Sequence, residues 1–250
     1  MTTTSFAQLH LPGKPFLLVN AWDVLSALAL ADAGHPAIGT TSLGVTAAAG
    51  LPDGSRTGRD HTTALVRALT GRMLAYLSVD LEDGYGDDPT AIAELVTELA
   101  DHGVVGVNLE DGNRTAHAHA AVIASVKANT PDMFVNARTD VFWSGTRDLS
   151  HALDRLRAYR DAGADGLFIP GLADPVALDQ VVALGPPVNA LWNPGTDQAS
   201  TGIARLSTGS ALYRYALAAA LQTAEAAAAD RTPTDGAVTY AETQRLLEGP

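Results

Sequence analysis

The chain has 250 residues, 46% hydrophobic and 18% charged, and its 16 basic and 28 acidic side chains give a net charge of −12. This composition excludes an intrinsically disordered protein and supports a large buried core. The negative charge argues against binding to nucleic acid or to an anionic membrane, since both need clustered lysine and arginine. The absence of cysteine excludes disulfides, thiolate catalysis and cysteine-ligated metals.

The sequence shows no targeting segment and no membrane span. Its first residues, MTTTSFAQLHLPGKP, have no basic region followed by an apolar stretch, which argues against a signal peptide. No apolar run approaches the roughly 18 residues of a membrane-spanning helix. We therefore expect a soluble, cytoplasmic globular protein that binds neither membranes nor nucleic acid.

Short apolar runs alternate with longer amphipathic segments along the chain. The short runs are rich in Val, Ile and Leu and apolar on both faces, as expected for buried parallel strands. They cover 16–20, 37–42, 74–82, 104–110, 133–140, 165–171, 187–192 and 202–207. Helical patterns cover 24–33, 60–71, 90–102, 116–128, 148–162 and 174–184, and an Ala-rich segment at 210–229 and a short helix at 237–248 follow.

This alternation predicts an α/β fold of the closed (β/α)8 barrel (TIM barrel) type, because eight strand–helix units in about 250 residues are usual for that barrel. A doubly wound open sheet is the alternative. That fold usually carries a Gly-rich phosphate-binding turn after the first strand, where this chain has NAWD. No change of composition marks a second domain, so we predict a single domain over 1–250. The barrel is expected at about 16–229 and an extra C-terminal helix at about 237–248.

Acidic residues follow the third and fourth predicted strands, at the barrel end where active sites lie. Residues i and i+2 of a strand face the same side, so Asp80 and Glu82 are expected to share an orientation, with Glu110 one strand away. Interior carboxylates are costly without a cation, and ligand sets of oxygen alone favour Mg²⁺ or Mn²⁺. We predict a metal site at these three residues and interpret the adjacent Asp83 and Asp111 as helix caps.

Groups that bind anions follow the second and fifth strands. Arg138, interpreted as the one cation at a strand end, can bind a carboxylate or phosphonate through two nitrogens. A structural salt bridge to one of the acids is the alternative. Thr41 and Ser42 supply hydroxyls beside a Gly-flanked backbone, which predicts an anion-binding turn, with simple turn chemistry as the alternative. Asn189, near the end of the seventh strand, is a further candidate substrate contact.

Four segments resemble the isocitrate lyase/phosphoenolpyruvate mutase superfamily: NAWDVLSALALADAGHPAIGTTSLGVTAAAGLPDG, SVDLEDGYGDDP, GVNLEDG and VNARTDVFW. The similarity runs from about residue 16 to about 220, and DLEDGYG is similar to the family's D-x-D-x-G-Y-G metal motif. The resemblance implies a (β/α)8 barrel that binds Mg²⁺ and acts on C–C or C–P bonds of 2-oxo acids through enolate-like intermediates. It also implies a homo-oligomer, a dimer or a tetramer, whose subunits exchange a C-terminal helix.

The resemblance also implies roles for individual residues. Asp80 is then the direct metal ligand, and Glu82 and Glu110 hold the metal's water molecules. Arg138 corresponds to the residue that clamps the substrate carboxylate, and Asp53, in GLPDG, lies where some members place a carboxylate beside the reacting group. The residues that cradle the substrate anion are Thr41, Ser42 and Leu43.

The sequence departs from the family pattern in the loop after strand four. Isocitrate and 2-methylisocitrate lyases carry K-x-C-G-H there, whose Cys transfers a proton, whereas this chain has EDGNRTAHAHAA. We therefore expect an enzyme that is not a Cys-dependent lyase, with Asp53, His117 and His119 as the candidate substitutes. Two further departures are Glu82, where the metal motif commonly has Asp, and Gly39, where mutases carry a Trp beside the substrate.

Three functions compete on these grounds. The leading hypothesis is an Mg²⁺-dependent lyase or mutase-like enzyme acting on small, anionic 2-oxo or 2-hydroxy acids. A phosphonomutase or phosphonopyruvate-type enzyme, acting on C–P bonds, is the second. The third is a non-catalytic barrel that binds small acids and has lost its catalytic loop.

Overall fold

The computed structural model describes residues 4–194, 201–233 and 236–248. Eight strands form a closed barrel in which each strand pairs with the next and β8 returns to β1, all in parallel. The predicted (β/α)8 barrel is therefore confirmed. The strands are β1 (Phe16–Ala21), β2 (Ala37–Thr40), β3 (Tyr76–Asp80), β4 (Val104–Glu110), β5 (Phe134–Arg138), β6 (Gly166–Phe168), β7 (Val188–Leu191) and β8 (Arg205–Ser207).

Helices follow the strands around the outside of the barrel. They are α1 (Val24–Asp32), α2 (Ser42–Ala48), α3 (Arg59–Leu69), α4 (Pro89–Asp101), α5 (Ala116–Asn129), α6 (Leu149–Asp161), α7 (Pro175–Val182), α8 (Ala211–Ala228) and α9 (Tyr240–Glu248). Side chains that accept a backbone N–H of the first turn cap many of them, among them Asp88 for α4 and Thr115 for α5. Within the described parts of the chain, every helix is too short or too polar to cross a membrane.

Two strands end earlier than the sequence predicts. The segment predicted as strand 37–42 ends at Thr40, because the seven residues from Ser42 form α2. The segment predicted as strand 74–82 ends at Asp80, and Glu82 then takes a left-handed backbone conformation with φ of 51°. Glu82 is thus a turn residue, and the argument that it shares a strand face with Asp80 is wrong.

The two faces of the strands carry different chemistry. Residues that point outward against the helices are apolar and fully buried, as at Val79, Val107 and Val135. Residues that point into the barrel include a polar set, and Asp80, Asn108 and Asn136 lie side by side on β3, β4 and β5. Because side chains alternate along a strand, this register places every second residue in the barrel interior.

The N-terminal segment closes the barrel end opposite to the strand carboxyl ends. The Phe6 ring lies 5.4 Å from that of Phe134, and the His10 ring stacks on Phe134 at 4.1 Å. Gly106 on β4 allows this approach, since a Cβ there would lie 2.7 Å from Cε1 of Phe6. The interior is consequently closed at this end by aromatic side chains.

Helix α9 lies against the outside of its own barrel in the single chain. Arg245 pairs with Asp32 of α1 at 2.7 Å, and Arg72 donates to the carbonyl oxygen of Leu247 at 2.7 Å. All of the described α9 side chains remain at least partly exposed to solvent. Exchange of a C-terminal helix between subunits therefore stays a prediction.

Candidate active site

A cavity of about 190 Å³ opens at the carboxyl ends of the barrel strands. The exposed rings of Trp143 and Trp192 flank its mouth, and Ser78 and Arg205 line its interior part. Most of the predicted site residues line it as well, namely Thr41, Ser42, Leu43, Asp53, Asp80, Arg138 and Asn189. The fold thus gathers residues from distant segments into one small space.

Asp80, the last residue of β3, is held in place by its neighbours. Its Oδ2 accepts the backbone N–H of Ser42 at 3.2 Å, and its Oδ1 accepts Nδ2 of Asn108 at 3.1 Å. Asn108 Oδ1 in turn accepts Nδ2 of Asn136 at 2.7 Å. This chain of hydrogen bonds fixes the direction of the carboxylate, as is usual around residues that bind a metal or a substrate.

Glu82 and Glu110 line a second, adjoining pocket together with Asp83 and Arg56. Burial raises the pKa of Glu82 to about 7, with smaller contributions from the nearby carboxylates, whereas the backbone N–H of Arg56 at 3.3 Å lowers it. The Oε1 atom of Glu82 is buried and makes no hydrogen bond. An orphaned carboxylate oxygen with a raised pKa is a place where a cation would be stabilised.

Glu110 forms an ion pair with Arg138, with 2.8 Å between Oε2 and Nη1. Arg138 also donates from Nε to Asp140 Oδ1 at 2.6 Å. Burial raises the pKa of Glu110 to about 8, Arg138 opposes that shift, and the Asp140, Asp80 and Asp53 carboxylates add to it. The salt bridge considered for Arg138 at the sequence level is thus present, while its side chain still lines the cavity.

The donor set fits a hard divalent cation held partly through water. Asp80 contributes electrostatically to the raised pKa of both Glu82 and Glu110, so the three carboxylates lie within one electrostatic neighbourhood. Across residues 4–194, 201–233 and 236–248, no three Asp, Glu or His side chains converge closely enough to ligate an ion directly. A site with one direct carboxylate and water in the remaining positions is what Mg²⁺ prefers.

Thr41, Ser42 and Leu43 form the start of α2. The backbone N–H of Ser42 points to Asp80, and Thr41 and Ser42 are both buried. Asp53 lies on the loop after α2, and the residue as a whole is exposed to solvent. Partial burial of its carboxyl group raises its pKa, and a hydrogen bond with the Ser42 hydroxyl opposes that shift. A carboxyl group with a raised pKa at a cavity wall is a candidate to hold or accept a proton.

Asn189 on β7 is buried, and its Oδ1 accepts the hydroxyl of Ser207 at 2.9 Å. Its side chain lines the cavity, as expected for a substrate contact. Gly39, the position at which mutases carry a Trp, lies beside Asn20, and a Cβ there would come within 2.6 Å of Asn20 Nδ2. The wall at this position is therefore built by Asn20, which donates to the carbonyl oxygen of Thr40 at 2.7 Å.

The histidine candidates lie away from the cavity. His119 is completely buried on α5, with its ring 4.7 Å from that of Tyr159, and His117 is exposed on the same helix. Neither contributes to the cavity wall. Of the three proposed substitutes for the missing Cys, only Asp53 faces the space where a substrate would bind.

The interpretation of Asp83 and Asp111 as helix caps is wrong. Asp111 is buried and accepts three hydrogen bonds, from Tyr159 at 2.7 Å, Arg155 at 2.8 Å and the backbone of Asp140 at 3.0 Å. It thereby ties the loop after β5 to α6. Asp83 pairs with Arg56, because its Oδ2 accepts a hydrogen bond from Nε of Arg56 at 2.8 Å. The caps of the following helices are instead Asp88 and Thr115. Asp83 and Asp111 therefore stabilise the loops around the site.

Arg138 is the last residue of β5, as predicted, and the structure brings two further cations to the cavity. Arg205 on β8 and Arg214 on α8 line the same cavity. Arg205 is 2% exposed and stands at the start of β8, so it was not among the residues expected at the strand ends. The period of two in Arg205-Leu206-Ser207 could have revealed it, because Leu206 faces outward and its two neighbours face inward.

Sequence comparisons place the chain among known proteins. It is 43% identical over 252 residues to an uncharacterized protein of Mycobacterium tuberculosis, and the aligned region covers 97% of this chain and 96% of that protein. It is 32% identical over 186 residues to the 2-methylisocitrate lyase of Salmonella typhimurium, covering 64% of this chain and 62% of the lyase.

Structural comparisons agree. A Burkholderia cenocepacia protein, whose proposed activity is that of a phosphonomutase, superposes with a TM-score of 0.82 at 37% identity, covering 88% of this chain and 97% of that one. A phosphonopyruvate hydrolase in complex with oxalate and Mg²⁺ has the same fold, with a TM-score of 0.79 at 20% identity and coverage of 94% and 91%. Residues 6–228 match the family described as phosphoenolpyruvate phosphomutase. The chain belongs to this phosphoenolpyruvate phosphomutase family.

Proposed function

We propose that this protein is an Mg²⁺-dependent lyase or mutase-like enzyme that acts on C–C, or C–P, bonds of small 2-oxo or 2-hydroxy acids. The observation that carries the proposal is the placement of Asp80. Its carboxylate is oriented by Ser42 and Asn108 and shares a small cavity with Arg138 and the start of α2. A negative and a positive group that face one closed space suit a substrate with an anionic end and a reacting oxygen.

Asp80, Glu82 and Glu110 would hold the Mg²⁺, with Asp80 as the direct ligand and the two glutamates acting through water. When bound, the ion would supply Lewis-acid stabilisation of the negative charge that develops on the substrate. The related hydrolase structure that contains oxalate and Mg²⁺ supports this assignment by analogy of fold. Mn²⁺ has similar ligand preferences and is expected to substitute.

The chain's own residues would perform the remaining steps. Arg138 binds the substrate carboxylate, and the N–H groups and hydroxyls of Thr41, Ser42 and Leu43 hold the other anionic end. Asn189 contacts the substrate from β7. Asp53, the candidate acid or base that lines the cavity, would hold or accept a proton at its carboxyl oxygen. The indole rings of Trp143 and Trp192, which flank the mouth, would cover part of a bound substrate.

A ligand screen with two readouts tests the proposal. Thermal shifts are measured for small 2-oxo acids, 2-hydroxy acids and phosphonates with and without Mg²⁺, since a ligand of the native state raises its stability. Each compound that stabilises the protein is then incubated with it, and products are followed by NMR. Mg²⁺-dependent stabilisation followed by bond cleavage supports the proposal. Mg²⁺-dependent binding without any product would instead favour the non-catalytic barrel, and no Mg²⁺-dependent binding would contradict both.

A further inference from the structure

Arg205 is a charged side chain sealed inside the barrel. It is 2% exposed, and its backbone pairs with Phe16 of β1 and Asn189 of β7. Its Nε and Nη1 atoms are buried and make no hydrogen bond. Among the ion pairs formed by the described residues, none includes Arg205. A buried guanidinium without a partner is costly, so its presence requires an explanation.

The side chain remains charged despite its surroundings. Burial lowers the pKa of Arg205 to about 9, and the more distant Asp80 partly opposes that shift. At neutral pH the guanidinium is therefore protonated, as arginine nearly always is. His10, in the N-terminal segment, is near enough to be affected by this charge, since its pKa falls to about 3 through burial and then through the charge of Arg205. Among the described residues, Asp80 is thus the carboxylate that acts on Arg205, and it does so without forming an ion pair.

The amide oxygens of three asparagines that line the cavity together with Arg205 already accept hydrogen bonds from other donors. Oδ1 of Asn189 accepts the Ser207 hydroxyl, and Oδ1 of Asn108 accepts the amide of Asn136. Oδ1 of Asn20 accepts the hydroxyl of Thr208 and the N–H of Gly209. These amide oxygens are therefore engaged with other donors, and the guanidinium is left with open donors towards the cavity that it lines.

We propose that Arg205 is an interior anion-binding residue that receives a second carboxylate of the substrate, so that the natural ligand is a small dicarboxylate spanning the cavity. One carboxylate lies near Arg138 and the start of α2, and the other reaches Arg205 at the inner end. The position of the outer carboxylate rests on the proposed function, whereas the inner site rests on Arg205 alone. A cavity of about 190 Å³ limits the ligand to a short chain.

Calorimetry with matched acids tests the inner site. Malonate, succinate and glutarate are each compared with the monocarboxylate of equal chain length, in metal-free buffer, for the wild-type protein and for Arg205→Met. At least one dicarboxylate should bind the wild type more tightly than its monocarboxylate partner. Arg205→Met should lower the affinity for that dicarboxylate by about 10-fold to 100-fold, the usual effect of losing hydrogen bonds to a charged group. The affinity for the monocarboxylate should not change.

Two further variants make the test specific. Arg157→Met removes an exposed arginine that pairs with Asp154, and it should leave all affinities unchanged. Arg205→Lys keeps the charge but loses the planar fork, so the preference for the dicarboxylate should fall while monocarboxylate binding stays the same. If Arg205→Met fails to fold, this lysine variant carries the comparison.

The outcomes separate the inner site from the proposed function. Equal dicarboxylate affinity in the wild type and the Arg205 variants, or no dicarboxylate preference in the wild type, overturns the inference. Oxalate is too short to reach both ends, so its Mg²⁺-dependent binding should be the same in the wild type and Arg205→Met. Failure of oxalate to bind the wild type with Mg²⁺ counts against the proposed function and leaves the dicarboxylate comparison to decide the role of Arg205.

Discussion

Nη1 of Arg138 lies 2.8 Å from Oε2 of Glu110, so the arginine expected to clamp the substrate is already paired with a residue expected to serve the metal. The two predicted roles are therefore coupled through one ion pair. A cation that attracts the Glu110 carboxylate would weaken the contact between Glu110 and Arg138. Guanidinium nitrogens of Arg138 would then be free to bind a substrate carboxylate. Metal and substrate should consequently bind with positive cooperativity.

This arrangement predicts a pH-dependent response to Mg²⁺. The pKa values of Glu82 and Glu110, about 7 and about 8, lie above the 4.5 expected of the unfolded chain. The native state therefore retains protons that the unfolded state has lost, and stability falls as pH rises from about 4.5 through about 8. Because Mg²⁺ needs deprotonated carboxylates, its stabilising effect should be larger near the upper end of this window than near pH 6.

Thermal denaturation with and without Mg²⁺ measures this effect. Glu110→Gln removes the group with the higher pKa and should flatten the upper part of the pH profile. Glu98→Gln, which changes an exposed carboxylate paired with Arg67, is the matched control and should leave the profile unchanged. An equal rise in Tm on adding Mg²⁺ at both ends of the range would count against the coupling of these carboxylates to a metal.

The protein is expected not to cleave isocitrate or 2-methylisocitrate at a useful rate. The isocitrate and 2-methylisocitrate lyases that the sequence resembles are expected to transfer a proton with a Cys, this chain has none, and His117 and His119 do not line the cavity. Loss of a positioned acid or base typically costs about 10²–10⁴-fold in rate. Glyoxylate release with saturating Mg²⁺ tests this, and turnover within tenfold of about 10 s⁻¹, a typical enzyme value, would show that the expectation is wrong.

The barrel could be predicted from sequence because its strands are short, apolar and separated by helical patterns, and β4 was predicted with its observed bounds. The position of Glu82 could not be predicted from sequence, because a left-handed turn after Asp80 ends the alternation of side chains that a strand would have. Helix α2 was also missed, because its seven residues follow β2 directly and contain Gly44 and Thr46, which favour helices weakly. The contacts of Asp111 with Tyr159 and Arg155 depend on side-chain directions that no pattern of residue types records.

A structural role for Asp111 predicts a measurable loss of stability. The Tyr159 hydroxyl donates to this buried carboxylate at 2.7 Å, so Tyr159→Phe leaves the carboxylate with one donor fewer. A hydrogen bond to a charged group is worth about 1.5–3 kcal/mol, and the free energy of unfolding should fall by about that amount. Urea denaturation measures it, with Tyr240→Phe at an exposed position as the control. Equal stability of both variants would show that Arg155 and the Asp140 backbone suffice.

The exposed apolar side chains of helix α8 indicate that the protein is an oligomer. Leu217 and Leu221 are 53% and 60% exposed and lie four residues apart, on one face of the helix, which leaves an apolar helix face uncovered in the single chain. Light scattering at micromolar concentration should give a mass of two or four chains. The double variant Leu217→Glu, Leu221→Glu should shift it towards one chain, while Val176→Glu, at an exposed position on α7, should not. A monomeric wild type would show that this face has another purpose.

Calorimetric titration of oxalate, with and without Mg²⁺, tests the central claim most directly, because it asks whether Asp80 organises a metal-dependent site for small acids. The wild-type protein should bind oxalate only when Mg²⁺ is present. Asp80→Asn should abolish both Mg²⁺ binding and oxalate binding, whereas Asp87→Asn, which alters an exposed carboxylate of the same loop, should preserve them. Oxalate binding that persists without Mg²⁺, or that survives in Asp80→Asn, would contradict the account.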